Sequence, residues 1–443
     1  MSSSSDTGLD EIDWDDAGPA FYPATAENKP SYDAIDISTT AFWAQTLEQQ
    51  DQAFAVLRAA RPVSWQRPAQ FAMVPDPDDP GYWAVTGHRE LCEVTRNHAA
   101  FISGQGIMYD TLPRTMLEMC LSFEAMDGPR HAQIRALVAK AFTPRQVQRI
   151  SDDITATARE VVTAIAGRGH IDFVSEVATK LPLISFCDMM GVPEEHRDAV
   201  AAAGADLVAW ADPEILAGRA ADEVQVEAAL TLHDIAAELC EQRRARPADD
   251  LFTSLVQAEG EGRSLSAEEI GAFFVLMSVA ATETTKHTAS FAALGLSEHP
   301  EQKAWLAADI DGRMDTAVEE FIRYGSVVMD MRRTAVVETE LGGMPIMPGD
   351  KVVMFYAAAN RDPDLFPRPH ELDLSRDPNP HVAFGGGGIH HCLGAHLAKA
   401  QLSALFRELI TRLPDFRASN PRLLGTNFMR GITHLDLEFS PVG

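Results

Sequence analysis

Apolar positions recur with helical spacing along most of the chain. The longest such region runs from residue 129 to about residue 297, and Ser266 followed by Glu268 and Glu269 marks the start of one long helix inside it. Short glycine and proline segments interrupt this region at Thr143-Pro144, Gly167–Gly169, Gly191–Pro193, Pro213 and Pro247. The same spacing predicts further helices over residues 38–60, 88–97, 315–324 and 394–413. The hydrophobic pattern therefore indicates a mainly α-helical protein.

Alternation of apolar and polar positions occupies only short segments. It predicts strands over residues 71–74 and 82–85, a small sheet over residues 331–355 and a final hairpin within residues 423–439. The expected fold is thus mainly α with small peripheral antiparallel β-sheets. We expect residues 38–443 to form a single domain, preceded by residues 1–37 as a flexible acidic N-terminal arm.

Charge and composition exclude several classes of function. The chain carries 37 Lys and Arg against 65 Asp and Glu, a net charge of −28, which disfavours nucleic acid and anionic membrane as general partners. The longest apolar stretch, residues 271–281, is shorter than the roughly 20 residues of a membrane span. The five cysteines are few and odd in number, as in proteins of a reducing compartment. These features predict a cytoplasmic protein, which we expect to be a monomer.

The segment from Phe384 to Gly394 carries the strongest candidate chemistry. Four consecutive glycines, among them Gly386 and Gly388, remove every side chain from one stretch of backbone, as a close approach to something flat or large would require. Cys392 then lies at the start of a helix, where free backbone N–H groups stabilise a thiolate. A haem iron takes such an anionic sulfur ligand.

Two other interpretations, a phosphate-binding loop and a zinc site, each lack residues that they require. A phosphate-binding loop would require Gly-Lys-Ser/Thr after the glycines, which the segment lacks. A zinc site would have to be built from His390, His391, Cys392 and His396, without a second cysteine pair. A glycine turn beside a buried, inert cysteine remains open at this point.

The segment resembles the haem-binding signature of the cytochrome P-450 superfamily, through Gly388, His390, Cys392 and Gly394. The family's aromatic residue usually lies seven positions before the cysteine, whereas Phe384 lies eight before it. The resemblance implies the cytochrome P-450 fold and haem b with Cys392 as the axial ligand. It also implies haem contacts from Phe384, Gly386, Gly388 and Gly394.

A second resemblance lies in Glu320-Phe321-Ile322-Arg323, which matches the family's Glu-X-X-Arg. Spacing of three on a helix lets the two charges pair, and by itself this could be a surface ion pair. In the family the pair is buried and joined by an arginine that matches Arg376. The resemblance implies a structural triad of Glu320, Arg323 and Arg376 that braces the cysteine loop.

The long helix carries a third matching segment, Ala280-Ala281-Thr282-Glu283-Thr284. It resembles the family's Ala-Gly-X-acid-Thr, with Ala281 in place of the glycine. The resemblance implies that Ala280 and Ala281 lie against the haem, that Thr284 lies beside dioxygen and that Glu283 relays protons. A solvated helix charge is the alternative for Glu283.

Candidates for haem propionate binding come from three places in the chain. His131 and Arg135, four residues apart, share a helix face and match a family motif in which Gly128 here replaces a proline. Arg333 and His390 match two further propionate ligands of the family. Each of them alone could equally be a surface residue.

The resemblance implies a monooxygenase that inserts one atom of dioxygen into a hydrophobic small molecule, typically by C–H hydroxylation. The chain has no flavin or dinucleotide fingerprint, so electrons would come from a separate iron–sulfur ferredoxin and its NAD(P)H-dependent reductase. Seven basic residues are interpreted either as a docking face for an acidic ferredoxin or as ordinary surface charge. They are Arg130, Arg135, Lys140, Arg145, Arg149, Lys399 and Arg407.

The substrate is expected to be sterol-like, terpenoid or lipid-like, because the segments that should form the pocket are apolar. The expected lining residues are Ile107, Met108, Leu276, Val327, Val328, Met329, Phe428 and Met429. Two alternatives stay open: a peroxide-driven haem-thiolate enzyme, and a haem protein that only binds a ligand or senses a gas.

Overall fold

The computed structural model describes residues 22–442 except residues 28, 71–75, 111, 113, 140–141, 143–144, 146–147, 149, 210–211, 258 and 261–262. The predicted strand over residues 71–74 lies outside the described residues. The helices are α1 (Thr40–Trp43), α2 (Leu47–Ala60), α3 (His88–Arg96), α4 (Arg114–Cys120), α5 (Gly128–Ala139), α6 (Ser151–Ile165), α7 (Lys180–Met190), α8 (Glu194–Val208), α9 (Pro213–Leu216), α10 (Ala221–Ala245), α11 (Leu251–Val256), α12 (Ala267–Glu298), α13 (Pro300–Ala308), α14 (Ile310–Gly325), α15 (Tyr356–Ala359) and α16 (Ala395–Arg412).

The strands are fewer and shorter than the helices. They are β1 (Val63–Gln66), β2 (Tyr82–Val85), β3 (Phe101–Ile102), β4 (His170–Asp172), β5 (Glu259–Gly260), β6 (Arg263–Ser264), β7 (Asp330–Ala335), β8 (Thr339–Leu341), β9 (Met344–Ile346), β10 (Lys351–Phe355), β11 (Arg417–Leu423) and β12 (Ile432–Glu438). A 3₁₀ turn over Ser122–Ala125 and a π turn over Val174–Ala178 complete the description. The prediction of a mainly helical fold with small sheets is confirmed.

Helix α12 forms the centre of the molecule. Its start is fixed by a reciprocal cap, in which Ser266 Oγ accepts from the Glu269 backbone N–H at 3.2 Å and Glu269 Oε2 accepts from the Ser266 N–H at 2.8 Å. The helix is 32 residues long and buried on most of its circumference, because α7, α8, α10 and α14 all pack against it. One face is left to line the cavity described below.

The largest sheet has the strand order β1-β2-β10-β7-β3. The pairs β1–β2, β10–β7 and β7–β3 are antiparallel, but β10 pairs with β2 in parallel, through Val352 opposite Trp83. The prediction of purely antiparallel sheets was therefore wrong at one pairing. Strands β2 and β10 are joined by most of the helical region, and so long a crossover permits a parallel pair that a hairpin cannot form.

Most element boundaries follow local capping signals. The predicted helix over residues 38–60 is divided into α1 and α2, because Thr46 begins a new helix with a capping box to Gln49. The final hairpin starts at Arg417, earlier than predicted, because β11 tolerates Pro421 at an irregularity in its pairing between Ser419 and Arg422.

The described part of the N-terminal segment lies against the large sheet. Lys29 Nζ is 2.7 Å from Asp350 Oδ1, Tyr32 stacks on Trp65 with ring centroids 6.5 Å apart, and Ile37 is fully buried. Within the described ranges, no helix combines the length and apolar character that a membrane span requires.

Candidate functional site

A large cavity lies between α12, the cysteine loop and the segments that flank β7. Cys392 presents its side chain to this cavity from one side, and Thr284 faces it from α12. Most of the remaining wall is apolar. The polar and charged side chains in the wall determine which ligands the cavity can bind.

The glycines of the cysteine loop pack against helix α3. Gly385 to Gly388 all have positive φ, and a Cβ atom on Gly388 would lie 2.0 Å from the Thr95 carbonyl oxygen. A Cβ on Gly386 would lie 2.9 Å from Leu91 Cδ2. The expectation that these two glycines clear space for the haem therefore needs correction, because their missing side chains allow the loop to approach α3.

The loop holds Cys392 on a defined backbone. The Cys392 N–H donates to the Phe384 carbonyl at 2.9 Å, and the Gly385 N–H donates to the Val382 carbonyl at 2.8 Å. Phe384, Gly385 and Gly394 also line the cavity. The aromatic residue thus reaches both the cavity and the cysteine despite the extra glycine between them.

The environment of the Cys392 sulfur suits a bound cation. Burial raises the pKa of the thiol to about 11, although backbone N–H groups of Gly394 and Ala395 act in the opposite direction. A thiol in this position remains protonated at neutral pH unless a positive centre replaces the proton. Coordination to a metal does this, so the site fits a haem iron.

Cationic and hydrogen-bonding groups converge at the rim of the same cavity. Arg135, Arg333 and His390 line it, and the His131 and His390 rings lie 4.3 Å apart. His131 Nε2 and His390 Nδ1 are buried without a hydrogen-bond partner among the described residues. Burial, helped by Arg333, lowers the pKa of His390 to about 2, so its ring is neutral. Buried orphan donors beside two guanidinium groups fit the carboxylates of a haem.

Glu124 belongs to this group and was missed by the sequence reasoning. It lies in the 3₁₀ turn before α5 and lines the cavity. Burial raises the pKa of Glu124, whereas Arg333 and Arg135 lower it. Its sequence position carries no motif, so only the folded turn brings this acid to the two arginines.

Helix α12 places its acid and its alcohol on different faces. Thr284, Ala280 and Ala281 line the cavity, and Thr284 Oγ1 donates to the Ala280 carbonyl at 2.9 Å. Glu283 is not among the cavity-lining residues and forms an ion pair with Lys286. It is 3% exposed, so the alternative of a solvated helix charge is wrong.

Glu320, Arg323 and Arg376 form one buried network. Both oxygens of Glu320 accept from Arg323 at 2.7 Å, and Arg376 Nε lies 3.1 Å from Glu320 Oε2. Arg323 also donates to the carbonyls of Asn360 and Pro369. Neither Glu320 nor Arg323 is exposed, so a surface ion pair does not describe them. The network ties α14 to the irregular segment that precedes the cysteine loop.

Seven of the eight residues expected in the substrate pocket line the cavity: Ile107, Met108, Leu276, Val327, Val328, Phe428 and Met429. Met329 does not, and this expectation was wrong. Its side chain belongs to a separate buried cluster with Trp43 and Phe355, on the other side of the segment. The polar lining residues that the sequence reasoning missed include Asp110 and Gln225.

The residues of the alternative zinc interpretation have other roles. Within the described ranges, no group of three or more His, Cys, Asp or Glu residues is arranged to hold a metal ion. His391 instead provides a carbonyl oxygen to Arg135, and His390 hydrogen-bonds Ser103 at 3.1 Å.

Known proteins resemble this chain over nearly its full length. The profile of the cytochrome P-450 family matches residues 217–417. The methyl-branched lipid omega-hydroxylase of Mycobacterium tuberculosis is 37% identical over 410 residues, which cover 92% of this chain and 95% of that protein. The chain belongs to the cytochrome P-450 family. Family membership carries a haem-thiolate centre with it, and the protein is a P-450 monooxygenase.

Two further relatives extend the comparison. The steroid C26-monooxygenase of Rhodococcus jostii is 32% identical, with 94% of this chain and 87% of that protein covered. A cytochrome P-450 of Mycobacterium marinum, solved in complex with pseudoionone, is 49% identical. Its structure superposes with a TM-score of 0.91 and covers 93% of this chain and 100% of that chain. The alternative of a haem protein that only binds a ligand is therefore wrong.

The basic group expected to dock a P-450 redox partner is partly neutralised. Arg130 pairs with Glu269, Lys399 with Glu319 and Arg407 with Asp311. Arg135 donates to the cysteine loop, as described above. Arg145 is exposed, whereas Lys140 and Arg149 lie outside the described residues.

Proposed function

We propose that this P-450 hydroxylates the terminal carbon of a methyl-branched lipid or of a steroid side chain. The names of the relatives support this position, since one is an omega-hydroxylase and another a C26-monooxygenase. The observation that carries the proposal is the cavity itself, in which an apolar wall leads to Cys392. Such a wall binds hydrocarbon and excludes water.

The residues assigned to haem b follow from their chemistry. Cys392 would supply the thiolate ligand to the iron, and Arg135, Arg333, His131 and His390 would bind the propionates. When bound, the haem supplies the activation of dioxygen that allows an oxygen atom to enter a C–H bond. We assign electron supply to a separate iron–sulfur ferredoxin and its NAD(P)H-dependent reductase.

The cavity wall orients the hydrocarbon. Val327 and Val328 come from the link between α14 and β7, and Phe428 and Met429 come from the turn between β11 and β12. An isolated bridge between Val328 and Met429 holds the two segments together. Because both walls are joined, a chain that lies between them has few orientations, which favours oxidation at one carbon.

Thr284 and Glu283 divide the handling of protons. Thr284 holds a hydroxyl proton at the cavity surface, and we assign proton delivery to its Oγ1. Glu283 lies on the adjacent face in an ion pair with Lys286, and His287 Nε2 is 3.6 Å from its carboxylate. Its part in proton delivery therefore requires this pair to open.

The function is tested by product analysis. The purified holoprotein is supplied with a plant-type ferredoxin, its reductase and NADPH, and is incubated with methyl-branched lipids and steroids. We expect products that carry a hydroxyl on a terminal methyl group, identified by mass spectrometry. Products oxidised only at internal carbons would contradict the proposal. Turnover with hydrogen peroxide but not with ferredoxin would favour the peroxide-driven alternative.

The role of Thr284 has a matched control on the same helix. Thr282 also donates its hydroxyl to the helix backbone, at 2.5 Å to the Ser278 carbonyl, but it does not line the cavity. Thr284→Ala should lower product formed per NADPH by roughly tenfold or more, because proton handling contributes at least that much to many reactions. Thr284→Ser should retain coupling and Thr282→Ala should match the wild type. Equal coupling in Thr284→Ala and the wild type would remove the assigned role.

A further inference from the structure

Asp110 is a buried acid in the wall of the apolar cavity. It is 6% exposed, it lines the cavity, and its Oδ1 has no hydrogen-bond partner among the described residues. It is not among the groups that face the haem carboxylates. A buried carboxyl oxygen without a partner costs free energy, and natural proteins rarely keep one without a use.

A second buried acid, Asp330, interacts electrostatically with Asp110. Asp330 is fully buried at the start of β7, and neither of its carboxyl oxygens has a partner in the described part of the chain. Burial together with Asp110 raises the pKa of Asp330 well above its usual range. Burial and the repulsion between the two charges both favour the protonated form of Asp330.

The remaining neighbours of Asp110 restrict what can bind there. Burial raises the pKa of Asp110, whereas Asn427, Arg332 and Lys351 lower it. Lys351 is itself paired with Asp79. A cationic ligand would meet Arg332 and Lys351. A carboxylate ligand would add a third acid to Asp110 and Asp330, which like-charge repulsion disfavours.

A neutral hydroxyl fits this environment without either penalty. It donates to a carboxylate and accepts from a protonated carboxyl, so it satisfies Asp110 in both states. A plain hydrocarbon would leave Oδ1 unpaired. A methyl ether could only accept, so it satisfies fewer arrangements of the acid pair.

We propose that Asp110 is a specificity-determining residue that binds a hydroxyl group of the substrate, so that hydrophobic alcohols are preferred over the matching acids and ethers. This deepens the proposed function and rests on it, because it names the second polar end of a molecule oxidised at its terminal carbon. A hydroxyl held at Asp110 fixes one end of the chain, and the apolar wall receives the rest.

The test uses three probes with one branched chain: farnesol, farnesyl methyl ether and farnesoic acid. Binding to the holoprotein is followed by the change in haem absorption that accompanies occupation of the cavity. Wild type should bind farnesol about tenfold more tightly than the ether or the acid, as expected for one buried hydrogen bond to an acid.

Two substitutions separate the hydrogen bond from the charge. Asp110→Leu should abolish the preference for the alcohol. Asp110→Asn keeps the shape and a hydrogen-bonding amide but removes the acid, so the acid probe should gain affinity relative to farnesol by about tenfold. Asp249→Asn, at an exposed position, should leave all three affinities unchanged. Melting temperature and the carbon monoxide difference spectrum check that each variant is folded and loaded.

The outcomes distinguish the inference from the proposed function. Equal binding of alcohol and ether by wild type, or tightest binding of the acid, overturns the inference. Terminal hydroxylation that is indifferent to Asp110 also overturns it and leaves the proposed function intact. If Asp110→Leu abolishes a preference for the alcohol but oxidation occurs at internal carbons, the inference is supported. The proposed hydroxylation of the terminal carbon is then contradicted. If none of the probes binds, the inference is overturned.

Discussion

The protonation state of the Cys392 thiol depends on whether its sulfur binds a metal. Burial raises its pKa to about 11, so the protein alone does not maintain a thiolate there. The positive charge of a metal must offset that cost. Without a metal, Cys392 is a protonated thiol and a poor nucleophile. With a metal bound, it is a thiolate and a good ligand.

Replacement of this sulfur is expected to remove the thiolate signature. In Cys392→Ser, the reduced protein with carbon monoxide should lose the difference band typical of thiolate-ligated haem, because a serine hydroxyl is a weak iron ligand. Cys92→Ser is the control, since Cys92 lies on α3 beneath the same loop but does not line the cavity. An unchanged band in Cys392→Ser would remove the assigned ligand.

Asp110 predicts a pH dependence of stability. Burial raises the pKa of Asp110 to about 7, whereas the unfolded chain releases this proton near the ordinary aspartate value. The folded protein therefore binds more protons between those values, and its free energy of unfolding falls as the pH rises through that window. Asp110→Asn lacks this proton, so its stability relative to wild type should increase with pH.

The expected gain is a few kcal/mol between about pH 5 and about pH 8, since one pKa unit corresponds to about 1.4 kcal/mol. Denaturant unfolding of both proteins at the two pH values measures it. A stability difference that is the same at both would contradict the raised pKa.

At the scale of elements, the cysteine loop and α3 form one packed unit. Gly388 has φ +82°, and a Cβ there would lie 2.0 Å from backbone. Gly388→Ala should therefore cost more than the roughly 1–2 kcal/mol of left-handed strain alone. Gly218→Ala is the matched control, because Gly218 has φ +85° and an added Cβ would meet nothing within 4 Å. Similar losses of melting temperature in both variants would mean that the contact with α3 is unimportant.

The buried network around Glu320 joins α14 to the segment that precedes the cysteine loop. Glu320 accepts from Arg323, Arg376, the Asp373 N–H and Asn379, and it is fully buried. Glu320→Gln should destabilise the protein by about 3–5 kcal/mol, because it leaves buried guanidinium groups without their anion. The protein should also lose haem more readily, since the network braces the segment before the cysteine loop.

The control for Glu320→Gln is an exposed pair from the same region. Glu371 lies 3.0 Å from Arg368, with side chains 55% and 63% exposed. Exposed pairs contribute about 0–1 kcal/mol, so Glu371→Gln should scarcely change unfolding. Comparable effects of the two substitutions would show that burial does not set the strength of these pairs.

At the scale of the whole molecule, the N-terminal segment is joined to the large sheet by a buried pair. Lys29 lies 2.7 Å from Asp350, with side chains 4% and 1% exposed, and Asp350 also accepts from Trp83 at 2.8 Å. Lys29→Met should cost about 3 kcal/mol, because Asp350 is left buried without its cation. Arg67→Met removes a pair with Asp36 in which the side chains are 51% and 27% exposed, and it should cost less. Thermal melting distinguishes them, and equal losses would show that the segment contributes no specific contact.

The distribution of charge on the surface of the folded protein differs from the pattern of charges along the sequence. In the fold, three basic residues of the expected docking group, Arg130, Lys399 and Arg407, pair with acids from other parts of the chain. Arg407, for example, meets Asp311 at the start of α14. The electrostatic surface that a redox partner meets is thus a property of the assembled helices.

Features that arise within a few residues could be predicted from the amino-acid sequence alone. The helical pattern, the cap at Ser266 and the Cys392 motif were all readable, because capping, periodicity and motif spacing are local. The sequence also identified Glu320 and Arg323 as a pair, since both lie on one helix face.

The folded chain was needed for every feature that depends on residues distant in the sequence. It paired β2 with β10 in parallel, turned Met329 away from the cavity and brought Gly388 against Thr95. It also buried Asp110 in an apolar wall and Asp330 at the start of β7, and burial raises the pKa of both acids. Burial and charge at a residue are set by side chains remote in sequence, and local patterns carry no record of them.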